Sequence, residues 1–171
     1  MKKTMLYLAA LLCCMTLLTA CGDDKDEPGQ VTTATGTYTI TFGTDFFKAA
    51  KHVNIYYKGD DGANKNDVIT SGTTWTKTVT TTRFPAELGF KIVIEPREEN
   101  ELTQETYNVH LTGAISGAVS TGGSFSNSQT MIGLNAVSKD KVINQLNRNK
   151  EHTYGYKLGK DGNAAQYTPT F

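Results

Sequence analysis

The sequence predicts a mainly β protein built as an antiparallel β-sandwich, with one short helix near the C-terminus. Several stretches alternate apolar and polar residues with period two, which is the pattern of strands that bury one face and expose the other. Glycine, aspartate and asparagine cluster between these stretches and indicate turns. One segment changes to a helical period. Many short strands with little helix are typical of a sandwich or a small barrel.

The first two strands are predicted at residues 37–42 and 52–58. In both, every second residue is apolar, so one face of each strand is expected to enter the core. The inward residues are Tyr38, Ile40 and Phe42 in the first strand and Val53, Ile55 and Tyr57 in the second. Tyr56 therefore points outward, and the turn signal at 59–62 ends the second strand.

The middle of the chain predicts three more strands. Two of them fall at residues 67–70 and within the threonine-rich run 73–82, which contains Trp75. The stretch 90–95 is the most apolar one outside the N-terminal region, which indicates a central strand. Pro96 ends it, because proline cannot donate to a strand ladder.

A charged loop separates these strands from the next group. Alternation over residues 106–111 predicts a sixth strand, and a further strand is predicted through Ile115 and Val119. The Gly- and Ser-rich stretch 122–128 has the composition of a mobile loop.

The one helical segment is predicted to begin after Ser138, a residue type that favours the N-cap position. Its apolar residues form a narrow stripe and are Val142, Ile143 and Leu146. Such a short helix must pack against the sheets to be stable. Two last strands are expected at residues 153–158 and through Tyr167, with a turn at 161–163 between them.

Parts of this domain are similar to Bacteroidetes lipoproteins with an immunoglobulin-like β-sandwich. The similarity lies in the run 75–82, the corner 84–86, the stretch 88–92 and the late helix. It implies an architecture but no active site, since it carries no catalytic motif. The alternative is a lipocalin-like β-barrel, whose first strand begins Gly-x-Trp where this chain has Gly36-Thr37-Tyr38.

The N-terminus has the organisation of a secretory signal. Lys2 and Lys3 precede an apolar stretch that is short for a membrane span, and Leu18-Thr19-Ala20-Cys21 resembles the lipobox of bacterial lipoproteins. That resemblance implies cleavage after Ala20, a diacylglyceryl group on the Cys21 sulfur and an acylated, for example palmitoylated, N-terminus. The expected organisation is a signal peptide at 1–20, a tether at 21–35 and one domain at 36–171.

The tether is acidic and flexible in composition. An acidic run behind the lipidated cysteine is similar to the export signal of Bacteroidetes surface lipoproteins, which implies an outer-membrane location facing either the periplasm or the outside. Without the signal, 15 basic residues stand against 17 acidic ones, a formal net charge of −2. This balance argues against nucleic acid as a partner. The mature domain keeps no free thiol, because Cys13 and Cys14 leave with the signal.

The residue patterns of known catalytic and metal sites do not occur in the domain. Gly113-Ala114-Ile115-Ser116-Gly117 lacks the spacing of a nucleophile elbow, and the acidic stretch 60–67 lacks the ligand spacing of a calcium loop. The glutamates at 95–105 indicate a solvated loop rather than a catalytic pair. His52, His110 and His152 are expected mainly at the surface. No catalytic residue, metal ligand or cofactor is therefore predicted.

Aromatic side chains give the only ligand-binding signal. Tyr56 is predicted to point outward, and Trp75 is a second candidate contact, although a large indole is more often buried in the core. The expected function is a lipid-anchored, non-catalytic module that binds a glycan, a peptide or another envelope protein. The alternatives are a structural or assembly component that pairs through a sheet edge or hairpin, and a hydrolase.

Overall fold

The computed structural model describes residues 31–171, so the predicted signal, the predicted lipid-attachment residue Cys21 and most of the predicted tether lie outside the described residues. The described strands are β1 (Ala34–Phe42), β2 (Ala50–Lys58), β3 (Asn64–Ile69), β4 (Thr74–Thr81), β5 (Ala86–Pro96), β6 (Thr106–Val119), β7 (Ser124–Ser138), β8 (Glu151–Leu158) and β9 (Ala164–Gln166). Two helices, α1 (Phe46–Ala49) and α2 (Lys139–Arg148), connect strands on different sheets.

These strands form two antiparallel sheets. Sheet A has the strand order β4-β1-β6-β7, and sheet B has the order β3-β2-β5-β8-β9. The predicted β-sandwich is confirmed. The lipocalin-like barrel is wrong, because within residues 31–171 no backbone ladder joins a strand of sheet A to a strand of sheet B.

The core lies between the two sheets, and the period-two pattern predicted its residues correctly. Every inward residue named for β1 and β2 is buried, as are Phe90, Ile92 and Ile94 of β5. The stretch 90–95 does belong to a central strand, since β5 lies between β2 and β8. Tyr154 and Tyr156 of β8 are core residues too.

The predicted helix exists as α2, which buries Val142 and Leu146 against the sandwich. Ser138 is its N-cap residue, although its side chain makes no capping hydrogen bond to the helix backbone. The structure adds α1, a single turn that is too short for a periodic pattern to reveal. Neither described helix has the length and apolar character needed to cross a membrane.

Strand β7 is the main feature that differs from the sequence prediction. The stretch 122–128 is not a loop: the turn is confined to a few residues around Gly122 and Gly123, and β7 starts at Ser124. β6 is also one continuous strand of 14 residues rather than two. The alternation rule failed for β7 because its first half is polar on both faces apart from Phe125, and Ile132 is its only buried residue.

Candidate interaction edge

The two candidate ligand contacts lie on different sheets. Tyr56 is half-buried in β2 of sheet B, where Asn66 and Lys91 are its cross-strand neighbours. Trp75 belongs to sheet A and is only 8% exposed. Its ring packs 5.4 Å from that of Tyr57, and its indole N–H donates to an Asp67 carboxylate oxygen at 3.0 Å. The two rings therefore form no common platform.

The three histidines are separate and all partly exposed, although one ring nitrogen of His152 is buried. His110 lies 3.0 Å through its Nε2 from the Asn135 side-chain oxygen, and His52 is partly exposed. The Nε2 of His152 is buried and has no hydrogen-bond partner within the described part of the chain. Burial lowers the pKa of His152, so the neutral ring is favoured. Within β8, His152 lies two residues before Tyr154 and so points to the same, inner face, which explains the burial of its Nε2.

The acidic residues stabilise turns. Asp61 accepts the backbone N–H of Ala63 in the β2–β3 hairpin, and Asp60 accepts the N–H of Thr80 at 2.6 Å. Glu98 and Glu101 form a capping box around a short turn after β5. Among residues 31–171, no group of acidic, histidine or cysteine side chains is arranged to hold a metal ion.

The outer face of sheet A is a neutral array of small polar residues. Cross-strand register places four residues in each of four rows, from β4 through β1 and β6 to β7. The rows are Thr80-Thr35-Ala118-Ser124, Thr78-Thr37-Ser116-Ser126, Thr76-Thr39-Ala114-Ser128 and Thr74-Thr41-Thr112-Thr130. All sixteen side chains are partly or fully exposed, and none is charged or aromatic. Hydroxyl pairs at 3.2–3.3 Å join β1 to β4 in two of these rows.

Strand β7 ends this sheet and leaves backbone groups open. The N–H of Val119 donates to the carbonyl of Gly123, so the odd-numbered residues of β6 direct their backbone groups toward β7. Hydrogen-bonded pairs alternate along an antiparallel ladder. The β7 residues that bond β6 are consequently Phe125, Asn127 and Gln129, and the residues between them face away from the sheet.

The residues whose backbone N–H and C=O groups point away from β6 are Ser124, Ser126, Ser128 and Thr130. They are called the outward residues below. We call this stretch, Ser124–Thr130, the β7 open edge. Within residues 31–171, no hydrogen bond from another element reaches the backbone of these four residues. A register shift follows Thr130 and ends the regular edge.

The three other sheet edges are shorter or carry charges. β3 has six residues including Lys65 and Asp67, and β9 has three. β4 has eight residues and includes Lys77. The N–H of Thr80, which points away from β1, donates to an Asp60 carboxylate oxygen. β7 has fifteen residues with neither a charged residue nor a proline. Charges, proline and shortness are the usual protections of an edge strand, so β7 is the least protected edge described.

Comparison of this chain with protein-family models, with curated proteins and with solved structures finds no match. The sequence-derived candidates therefore stand on geometry alone. That geometry brings no catalytic set together among the described residues, and it adds the β7 open edge. The signal that could have revealed this edge is the run from Leu111 to Ser138, which contains no charged residue.

Proposed function

We propose that this protein is a lipid-anchored, non-catalytic component of cell-envelope assemblies, and that its β7 open edge accepts a strand from a partner protein. The observation that carries the proposal is the regular row of unpaired backbone groups at the end of sheet A. In strand addition, such groups supply the affinity through main-chain hydrogen bonds. A bound strand would become the fifth strand of sheet A.

Strand addition has more support than glycan binding. Sugar rings stack on exposed aromatic faces, and Trp75 is buried under Tyr57 and bonded to Asp67. Among residues 31–171, the most exposed large hydrophobic side chains are Val31 and Val68, which offer no flat ring. A peptide partner would use the same edge as a protein partner, because both would bind as strands.

The proposed location is the outer membrane. The basic n-region, the short apolar stretch and the lipobox ending in Cys21 support lipid anchoring, and the acidic tether supports export toward the cell surface. Anchoring on one membrane raises the effective concentration of the β7 edge for partners on the same membrane. The membrane is thus one partner through lipid, and an envelope protein is the other.

A site-specific cross-link tests the proposal in cells that export and lipidate the full chain. Ser126 is replaced by the photoreactive amino acid benzoylphenylalanine, and Thr76 on β4 receives the same residue as a control for the other edge of the sheet. We expect a discrete covalent adduct from position 126 and at least about tenfold less from position 76. This difference is expected because β4 carries Lys77 and because the Thr80 N–H on this edge already donates to Asp60.

A proline variant then links the adduct to strand pairing. Ser128→Pro removes an outward N–H but no bond to β6, so the domain should retain its unfolding free energy within about 1 kcal/mol. The adduct at position 126 should be lost in this variant. An adduct that persists in a folded Ser128→Pro protein, or no adduct at position 126, would refute the proposal.

A further inference from the structure

We infer that the strand accepted by the β7 open edge is β7 of a second copy of this chain, paired antiparallel about a two-fold axis at Asn127. The inference rests on the proposed function and names its partner. Its starting point is the neutrality of β7, since none of its fifteen residues is charged although 20% of the whole chain is.

Charge neutrality favours a strand that pairs with itself. Two-fold pairing places the same patch of both copies in contact, so a charge near the axis meets an identical charge. Like charges directly opposite each other destabilise a strand pair. A strand that evolved for one foreign partner has no such restriction and gains selectivity from charges. The composition of β7 therefore favours a second copy.

The register of the open edge is self-complementary. Antiparallel pairing requires outward residues of one strand to lie opposite outward residues of the other. With the axis at Asn127, Ser126 lies opposite Ser128 of the second copy, and Ser124 lies opposite Thr130. All four outward residues of each copy are then paired, which gives about eight main-chain hydrogen bonds. Asn127 lies opposite itself at a non-hydrogen-bonded position.

The two sheets become one in this arrangement. An axis perpendicular to the sheet keeps the outer faces of both copies on the same side, so the strand order becomes β4-β1-β6-β7-β7-β6-β1-β4. Each row of small hydroxyl residues continues into the second copy. On the inner face, Phe125 lies opposite Gln129 of the second copy, so no charged group is buried.

A single cysteine at the axis tests this register. Residues 31–171 have their own hydrophobic core and contain no cysteine, so this domain can be used alone. In Asn127→Cys, the two Cα atoms would be about 4.5 Å apart, within the range of about 4.4–6.8 Å that a disulfide spans. In the control Ser124→Cys, two-fold pairing separates the thiols by six residues, about 20 Å. Both side chains are exposed, so neither variant should affect folding.

Under mild oxidation in a glutathione buffer, we expect Asn127→Cys to form a disulfide-linked dimer at least about tenfold faster than Ser124→Cys. Adding Ser128→Pro should abolish this difference. Equal rates for the two variants would overturn the inference. So would cross-linking that appears only when Asn127→Cys is mixed with Lys77→Cys on β4, because this outcome indicates a head-to-tail chain of copies. Either outcome leaves the in-cell adduct at Ser126 as an independent test of strand addition.

Discussion

The hydroxyl of Tyr38 joins the two sheets, and its removal gives the sharpest test of the core. Tyr38 belongs to β1 of sheet A and is fully buried. Its hydroxyl donates to the carbonyl of Lys58 at 2.9 Å and accepts the N–H of Gly89 at 3.3 Å, both in sheet B. Lys58 and Gly89 lie one step beyond Tyr57 and Phe90, the last pair in the β2–β5 register. The hydroxyl thus replaces a missing ladder bond.

Tyr38→Phe leaves one buried donor and one buried acceptor without this partner. Each unsatisfied group costs about 1–3 kcal/mol, so the free energy of unfolding should fall by about 2–6 kcal/mol. Burial raises the pKa of Tyr38, so the hydroxyl stays protonated and the loss should not depend on pH near neutrality.

Urea denaturation followed by tryptophan fluorescence measures this change, because Trp75 is the only tryptophan and is buried. Tyr154→Phe is the matched control: its ring is also buried, but its hydroxyl contacts only that of Tyr156, at 3.4 Å. We expect the control to lose less than about 1 kcal/mol. A loss below about 1 kcal/mol for Tyr38→Phe would refute the bridging role and would mean that Lys58 and Gly89 pair directly.

Four further predictions concern the core, the helix, the partly buried His152 and the anchor. Gly36→Ala should destabilise the domain by about 1–3 kcal/mol, because its Cβ would overlap the buried Leu88 side chain. Leu146→Ala should cost about 3 kcal/mol in urea denaturation by opening a cavity under α2. Because the folded pKa of His152 lies below its ordinary value of 6.5, the free energy of unfolding should decrease as pH falls below 6.5, and His152→Gln should reduce this slope. Mass spectrometry of the exported protein should find acyl groups on Cys21 at the new N-terminus.

Each of these predictions has a control or a contradicting result. Gly133→Ala has room for its Cβ and should be nearly neutral, and Asn147→Ala on the exposed side of α2 should be nearly neutral as well. An equal effect of either control would remove the packing explanation. A pH slope that is unchanged in His152→Gln would contradict the role of burial. An unmodified Cys21 would contradict lipid anchoring.

The sequence alone was sufficient to determine which faces of most strands are buried. In β1, β2 and β5 the side chains alternate, and the apolar residues on the predicted inward face became core residues. This inference works because the period of a strand is local: successive side chains point to opposite faces whatever the strand pairs with. The helix after Ser138 was predictable for the same reason, since its apolar stripe follows a local period of 3.6 residues.

Only the tertiary structure decided what β7 is. Asn127 and Gln129 occupy its inner face but remain exposed, so no alternation marked the strand, and its backbone became extended by pairing with β6. Which strand lies at an edge is likewise a property of strand order, which depends on pairing between distant segments. The uncharged run from Leu111 to Ser138 could not by itself locate the open edge, because every non-proline residue carries backbone N–H and C=O groups and only the neighbouring strands decide which of them stay free.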